Sequence, residues 1–258
     1  MPVWIHCKGY LVRDDNTKPL YMIGCINEIG ERQKADNVSG LLGETGLRQY
    51  MDQQDTPLET GYLLRIGIDH FKEINDNFGQ EYGDFVLRKT ADCISGCISE
   101  AQKVYKLVAD EFLILDVFSD EVKDADKLYD KVRNEIDRFI ESNEFKVMYT
   151  VSGGIVPFAA LKGNQYSEAL KLTDFALNEA KKLGRNRCYI FNEETYRRFL
   201  RKREITQELR EAVNNGFRGF RAFYQPVFAE DKKVSYGAEA LMRAISITVF
   251  HLKNWWQC

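Results

Sequence analysis

VYKLVADEFLIL, residues 104–115, sets two apolar runs on either side of an Ala-Asp-Glu corner. The runs read as two short strands, with the corner where a hairpin turns. A carboxylate lifted onto a hairpin tip can present an oxygen to a hard cation. It is equally an ordinary way to make a turn soluble. The surrounding chain has to decide between the two.

Upstream, YLLRIGID (62–69) alternates, with Leu64, Ile66 and Ile68 on one face and Leu63, Arg65, Gly67 and Asp69 on the other. HFKEINDNFG follows as a helix, and a second helix from about Asp84 carries Leu87, Ala91, Ile94 and Ile98 along one stripe. Downstream, Val122, Ala125, Tyr129, Val132, Ile136 and Ile140 recur at three- and four-residue steps and predict a helix over 121–141. KVMYTVSGGIVPF reads as a strand. SEALKLTDFALNEAKKLG reads as a helix with Leu172, Phe175, Ala176, Ala180 and Leu183 inward and Gly184 at its stop. RCYIF closes as a short strand. The order is strand, two helices, hairpin, helix, strand, helix, strand, which predicts an α+β fold with a central sheet and helices packed on both sides.

Two shorter pieces flank this domain. WIHCKGYLVR and PLYMIGCINEI are strand-like runs joined by DDNTK, and ERQKADN follows as a charged, helix-compatible connector. Two strands cannot bury a core alone, so residues 1–35 read as the end of a larger domain. In the third piece, REITQELREAVNNG reads as a helix, and FRAFYQPVFA and KVSYGAEALMR read as strands. AISITVFHLKNWWQC has no clear period.

Composition narrows the function classes. The chain has 258 residues, 44% of them hydrophobic, enough for a sizeable core. With 36 basic and 39 acidic residues the net charge is −3, so nothing pulls the chain globally toward nucleic acid or an anionic membrane. No apolar run is long enough to span a bilayer, and MPVWIHCKGY lacks the layout of a signal peptide. The six cysteines contain no CxxC pair, which argues for thiols in a reducing cytoplasm rather than zinc ligands or disulfides.

The middle piece, residues 36–195, resembles the GGDEF family, the diguanylate cyclase domains of bacterial signalling. GIDHFKEINDNFGQEYGDFVL (67–87) is similar to that family's DxDxFKxINDxxGHxxGDxxL segment, and YKLVADEFLIL stands where RxGGDEF is expected. VSGGI and DFALNEAKKLGRNRCYIF follow in the right order, similar to the SxG strand and the ADxALYxAKxxGRN helix. GYLVRDDNTKPLYMIGCINEIGERQKAD resembles the C-terminal hairpin and exit helix of a PAS domain. FRAFYQPVFAEDKKVSYGAEALMR (220–243) resembles the opening of an EAL phosphodiesterase barrel, so residues 196–258 are expected to be a truncated EAL segment.

The resemblance implies a homodimer in which two GTP molecules condense to cyclic di-GMP, with Mg²⁺ or Mn²⁺ neutralising phosphate and activating the attacking hydroxyl. The family's metal ligands map onto Gly67, the Ile68 carbonyl and Asp110, with Glu111 beside the last as a catalytic acid. Glycine carries no oxygen ligand, and losing one preorganised charge-stabilising group costs on the order of 10²–10³ in rate. Asp69 either reaches the ion through water or caps the following helix. Val108 and Ala109 replace the paired glycines, which let a backbone approach phosphate and take positive φ. Asp110 is then either a metal ligand or a bare turn acid.

Other contacts implied by the resemblance persist. Asn75 and Asp84 match the pair that holds guanine; the alternatives are an Asn in a helix-end turn and an Asp capping a helix after Gly83. His70 and Phe71 occupy positions whose backbone amides face the terminal phosphates. Lys181 and Arg185 match the phosphate-contacting bases, or are cations complementing a helix end. SEAQ (99–102) stands where the family's inhibitory RxxD would lie, so product feedback is not expected. Gln225, Glu239 and Arg243 match EAL positions without the rest of a barrel, and no phosphodiesterase activity is expected of them. The expected function is a degenerate GTP-binding regulatory module with strongly reduced or absent cyclase activity, between an upstream sensory and a downstream EAL domain in longer relatives. The alternatives are a working diguanylate cyclase and a purely structural or dimerisation module.

Overall fold

The alternating run at 62–68 lies at the centre of a six-stranded sheet. The computed structural model describes residues 5–13, 18–28, 35–54, 58, 60–119, 121–142, 147–163, 166–228 and 235–244. In chain order the elements are β1 (Ile5–Arg13), β2 (Pro19–Glu28), β3 (Leu42–Gly43), α1 (Glu44–Asp52), β4 (Tyr62–Ile68), α2 (Phe71–Phe78), α3 (Gln80–Cys97), β5 (Gln102–Lys106), β6 (Glu111–Asp116), α4 (Val122–Ser142), β7 (Val151–Pro157), α5 (Tyr166–Lys182) and β8 (Cys188–Ile190). After them come α6 (Glu193–Asn214), β9 (Phe220–Phe228) and β10 (Ser235–Ala244). The chain divides into two compact units, Met1–Phe191 and Asn192–Cys258.

The sheet order is β3-β5-β6-β4-β7-β8. β4 pairs antiparallel with both β6 and β7, while β7 runs parallel to β8 and β3 parallel to β5. Because helices cover both faces, β4 is buried on both: Leu63 is as inaccessible as Leu64, Ile66 and Ile68. On one side Leu64, Ile66, Phe112 and Ile155 join Val86 and Ile94 of α3 and Val132 and Ile136 of α4 in one core cluster. On the other side α5 lies so close to β7 that a Cβ on Gly154 would stand 2.3 Å from the Leu177 backbone nitrogen. This is the α+β sandwich that the pattern of elements predicts.

Helix α4 keeps its expected stripe, with Ala125, Tyr129, Val132, Ile136 and Ile140 buried. Leu183 departs from expectation. It is not inward but 55% exposed, because α5 ends at Lys182. Gly184 at φ +114 and the bond from Arg185 N–H to the Ala180 carbonyl (3.2 Å) close the helix in a Schellman arrangement that turns Leu183 outward. The sequence reading also passed over β3 and α1. A two-residue strand has no period to detect, and the nine-residue α1 buries only Leu47 and Met51.

β1 and β2 form an antiparallel hairpin. The connector expected to be helical lies partly outside the described residues. Its described end is a turn, in which Asp36 Oδ1 accepts from Ser39 N–H (2.7 Å) and Val38 N–H (3.2 Å). In the second unit, α6 begins ten residues before its expected start at Arg203, capped by Asn192, whose Oδ1 accepts from Thr195 N–H at 2.9 Å. β9 and β10 pair antiparallel as a two-stranded sheet. Among the described residues no helix is long and apolar enough to cross a membrane.

Candidate functional site

The opening corner is a tight hairpin between β5 and β6. Leu107 N–H donates to the Glu111 carbonyl (2.9 Å), and Glu111 N–H to that of Val108 (3.3 Å). Ala109 sits at φ 56, the left-handed conformation that a glycine would take without cost. Val108 points outward and is exposed. Lys106, itself buried, curls its ammonium back into the turn and donates to the carbonyls of Leu107 (2.8 Å), Ala109 and Glu111 (3.4 Å). Burial pushes the Lys106 amine below its ordinary range, against the opposing pull of Asp36, Asp110 and Glu111. Burial, with the like charge of Glu111, holds the Asp110 carboxyl above the usual carboxylate range, although Lys181 and Lys106 pull the other way.

Register places Gly67 of β4 directly opposite Glu111 of β6. Glu111 does not face an open site. One of its oxygens accepts from Arg65 Nε at 2.7 Å and pairs also with the Arg65 Nη2, while the other lies 3.8 Å from Lys181 Nζ. Arg65 is fixed further by the Leu170 carbonyl (3.2 Å) and by Asp174 (3.5 Å). The side chains of Arg65 and Glu111 are only 13% and 16% exposed, so this is a largely desolvated pair. A Cβ built on Gly67 would meet Lys181 Nζ and Leu177 Cδ2, each at 3.2 Å, and Glu111 Cγ at 3.5 Å. The space that a side chain at 67 would use therefore borders an ammonium group. Sequence reasoning passed over Arg65 and Lys106 as site residues. The available signal was a cation inside the otherwise apolar run of β4, which must find a buried partner.

Asp69 shares the face of Gly67 but is 2% exposed and fully engaged. It accepts from Thr150 Oγ1 (2.7 Å), Ser152 Oγ (2.8 Å) and Asn186 N–H (3.2 Å), tying β7 and the loop after α5 to the end of β4. The helix-capping reading of Asp69 is corrected here. The N-cap of α2 is His70, in the left-handed region at φ 58 and without a side-chain cap bond. The Asp69 Oδ atoms turn inward to the hydroxyls of Thr150 and Ser152. His70 Nδ1 lies 2.7 Å from Glu73 Oε1 in an exposed pair, and Phe71 packs partly buried against the core. Ile68 N–H donates to the Asp110 carbonyl (3.3 Å), which joins the β4 end to the hairpin tip. Arg185, exposed and at φ 61, follows Lys181 in the loop that Asp69 anchors.

Asn75 and Asp84 stand on the α2–α3 hairpin. Asn75 lies within α2, half-buried, and its Oδ1 is buried without a hydrogen-bond partner. A Cβ on Gly83 would fall 1.8 Å from that oxygen, so Gly83 is what leaves room for the amide. Asp84 is not an N-cap: α3 starts at Gln80, a full turn earlier, because the chain breaks at Gly79 (φ 83) rather than at Gly83. At the SEAQ segment, Gln102 Oε1 accepts from Ser99 N–H (2.9 Å), while its amide donates to Asp116 Oδ2 (2.8 Å) and Tyr62 OH (3.3 Å). A cleft of about 380 Å³ between α2 and Val147–Thr150 includes His70 and Asp69 but none of Asn75, Asp84, Asp110 or Lys181. In the second unit Gln225 is the cross-strand partner of Glu239, and Arg243, on the same strand face as Glu239, lies 5.1 Å over the Phe223 ring.

Comparison with known proteins bears on this arrangement. The family described as "Diguanylate cyclase, GGDEF domain" matches residues 34–187, well over half of the chain. The chain belongs to the GGDEF family. It is 28% identical over 216 residues to the cyclic di-GMP phosphodiesterase NbdA of Pseudomonas aeruginosa, a match covering 81% of this chain and 27% of that protein. It is 29% identical over 167 residues to the diguanylate cyclase DgcZ of Escherichia coli, covering 63% of this chain and 55% of that one. The chain thus spans roughly a quarter to a half of the length of these relatives. Among solved structures, the diguanylate cyclase SiaD of Pseudomonas aeruginosa, in complex with its activator SiaC, superposes with a TM-score of 0.55 at 25% identity, covering 62% of each chain. The α+β architecture and the place of this GGDEF domain in cyclic-di-GMP signalling follow from these matches.

Cyclases of the GGDEF family use Mg²⁺ or Mn²⁺ with GTP, and the residues here can be tested for that fit. They do not fit paired ions. Gly67 offers no side-chain oxygen, Lys181 Nζ borders its place, and Glu111, next to the mapped ligand Asp110, has both oxygens facing cationic side chains. A hard cation needs about six oxygens, and an adjacent ammonium repels it. Among the described residues no group of three or more His, Cys, Asp or Glu is arranged to hold a metal ion. The nucleoside end fares differently. An orphaned buried amide oxygen beside a glycine cradle suits a purine base edge, which supplies donors and acceptors in one plane.

Proposed function

We propose that this GGDEF domain is a degenerate, guanine-nucleotide-binding regulatory module with cyclase activity strongly reduced or absent. Gly67, the glycine opposite Glu111, is the observation that carries this reading. With no anionic oxygen there and with Arg65 gripping Glu111, the centre lacks the charge that would align two phosphate groups for transfer. Asn75 and Asp84 hold the guanine edge in this reading, and Lys181 and Arg185 take the phosphates together with the backbone at His70 and Phe71. The orphaned Asn75 Oδ1 supports the base-binding part.

The domain division accompanies the proposal. Residues 1–35 are the C-terminal end of a PAS-like domain with its linker, 36–195 the GGDEF domain, and 196–258 the N-terminal part of an EAL domain. The hairpins β1–β2 and β9–β10, each a two-stranded sheet, support reading both flanks as pieces of larger sheets. So does the match to NbdA, which extends beyond the GGDEF residues. The module works as a homodimer and passes nucleotide occupancy to the adjoining domain.

Incubation with Mg-GTP or Mn-GTP followed by chromatography of the products tests the catalytic part. Cyclic di-GMP formation within about tenfold of a Gly67→Asp variant would overturn it. Isothermal titration with GTP tests the binding part. Heat should be measurable for the native chain and lost in Gly83→Ala, whose methyl would displace Asn75.

A further inference from the structure

We propose that the cleft between α2 and residues 147–150 is a docking groove for a basic, amphipathic peptide segment of a partner protein, and that an arginine side chain of that segment enters it. Helix α2 presents two faces. Asn75 turns toward Gly83 of α3, whereas Glu73 with Asn77, and beside them Ile74 with Phe78, form two rows one helical turn long on the cleft of about 380 Å³. One row is polar and the other apolar. Ile74 and Tyr149, only 4% and 5% exposed, close the floor. The rim is apolar but open to water: Phe78 is 44% exposed and Met148 79%. Apolar side chains gathered in the open beside a cleft favour contact with a partner, and the flexible thioether of methionine adapts to its shape.

Charge then selects the partner. Asp69, Glu73 and Asp137 of α4 bring three carboxylates to the lining, and no lysine or arginine lines it. Asp69 is held by the neutral donors of Thr150, Ser152 and Asn186, so its charge is not cancelled. Glu73 pairs with His70, and a protonated His70 would cancel one charge of the three. The basic residues nearest in sequence do not change the balance. Arg133 pairs with Asp130 (3.5 Å), Arg138 pairs with Glu135 (3.0 Å), and Lys72 is not part of the lining. The groove thus keeps a negative excess beside an apolar rim, which complements a cation on an apolar stem. Arginine meets both requirements. Its methylenes cover Phe78 and Met148, its planar guanidinium stacks on a ring, and its fork reaches the exposed carboxylates of Glu73 and Asp137, with buried Asp69 adding to the field.

The test is NMR titration of the isotope-labelled full chain with the capped tripeptide Leu-Arg-Leu. Leu-norleucine-Leu, Leu-Glu-Leu and free argininamide are the controls. The arginine peptide should shift the amides of α2 and of residues 147–150 with a dissociation constant of about 1 mM or tighter, and each control should bind at least about fivefold more weakly. The double variant Glu73→Gln, Asp137→Asn keeps the shape of two exposed side chains and removes their charge, and it should weaken the peptide at least about fivefold. Met148→Ser supplies a second arm through the apolar rim and should weaken it at least about twofold. Melting curves check the fold of both variants. No shift at about 10 mM peptide, shifts confined to other surfaces, or native affinity in the variants overturns the inference. Equal binding by the norleucine or glutamate peptide refutes the selection by charge, and equal binding by argininamide refutes the peptide as occupant.

Discussion

Replacing Ala109 with glycine should stabilise the GGDEF domain, and the size of the gain follows from one dihedral angle. Ala109 is held at φ 56 by the hairpin bonds between Leu107, Val108 and Glu111 and by the Lys106 ammonium on its own carbonyl. An L-residue in that region carries about 1–2 kcal/mol of steric cost. Glycine removes it but gives the unfolded chain more freedom, which costs about 0.4–1 kcal/mol. The net expectation is a gain of about 0.5–1 kcal/mol. In urea, with a slope of about 2 kcal/mol/M, the midpoint should rise by roughly 0.25–0.5 M at unchanged slope. Val108→Gly is the control, because Val108 is exposed and has no positive φ to relieve. It should give no gain. A neutral or destabilising Ala109→Gly, or an equal gain from Val108→Gly, would refute the strained-turn argument.

Two further outcomes follow from packing and from charge. Gly154→Ala should cost about 3 kcal/mol or more and lower the melting temperature sharply, because the new methyl would stand 2.3 Å and 2.7 Å from backbone atoms of α5 that cannot rotate away. Asp116, whose oxygens accept from Phe118 N–H, Ser119 N–H, Ser119 Oγ and Gln102 Nε2, should cost about 1.5–3 kcal/mol when changed to asparagine at neutral pH. Burial pushes its carboxyl up, but these four bonds outweigh it and hold the pKa below the ordinary 3.8. A depressed folded-state pKa stabilises the protein above the unfolded value and loses that contribution as pH falls through the folded one. The gap between native and Asp116→Asn stability, measured by urea titration, should therefore narrow only below about pH 4. A gap that is the same at pH 3 and pH 7 contradicts it.

The elements with strong period were legible. Residues 62–69, 121–141 and the helix before Gly184 announced their faces through repeated apolar side chains. What escaped depends on partners distant in sequence. Arg65 reads as an odd residue in a strand, and only the antiparallel register of β4 with β6 shows that it reaches Glu111, 46 residues on. Asp69 reads as a cap because Asp commonly precedes a helix, yet its donors come from β7 and from residue 186. The start of α3 was misplaced for a related reason. Two glycines lie four apart, and only the backbone shows that Gly79 makes the break while Gly83 serves as the cradle for Asn75.

Gly67, Arg65 and Glu111 at the centre of the site are electrostatically consistent with one another. A Glu111 carboxylate that is 16% exposed would be expensive to keep ionised without a cation beside it. In a metal-holding site that cation arrives with the ligand, so the empty protein bears the cost until it binds. Here Arg65 supplies the charge permanently, and Gly67 removes the second acid that would otherwise need its own counter-charge. Restoring an acid at 67 alone would place it beside Lys181, where the nearest positive partner is already part of the chain. Gly67, which leaves out an acid, and Arg65, which neutralises Glu111, thus act in the same direction, toward a centre whose charges balance before any ligand arrives.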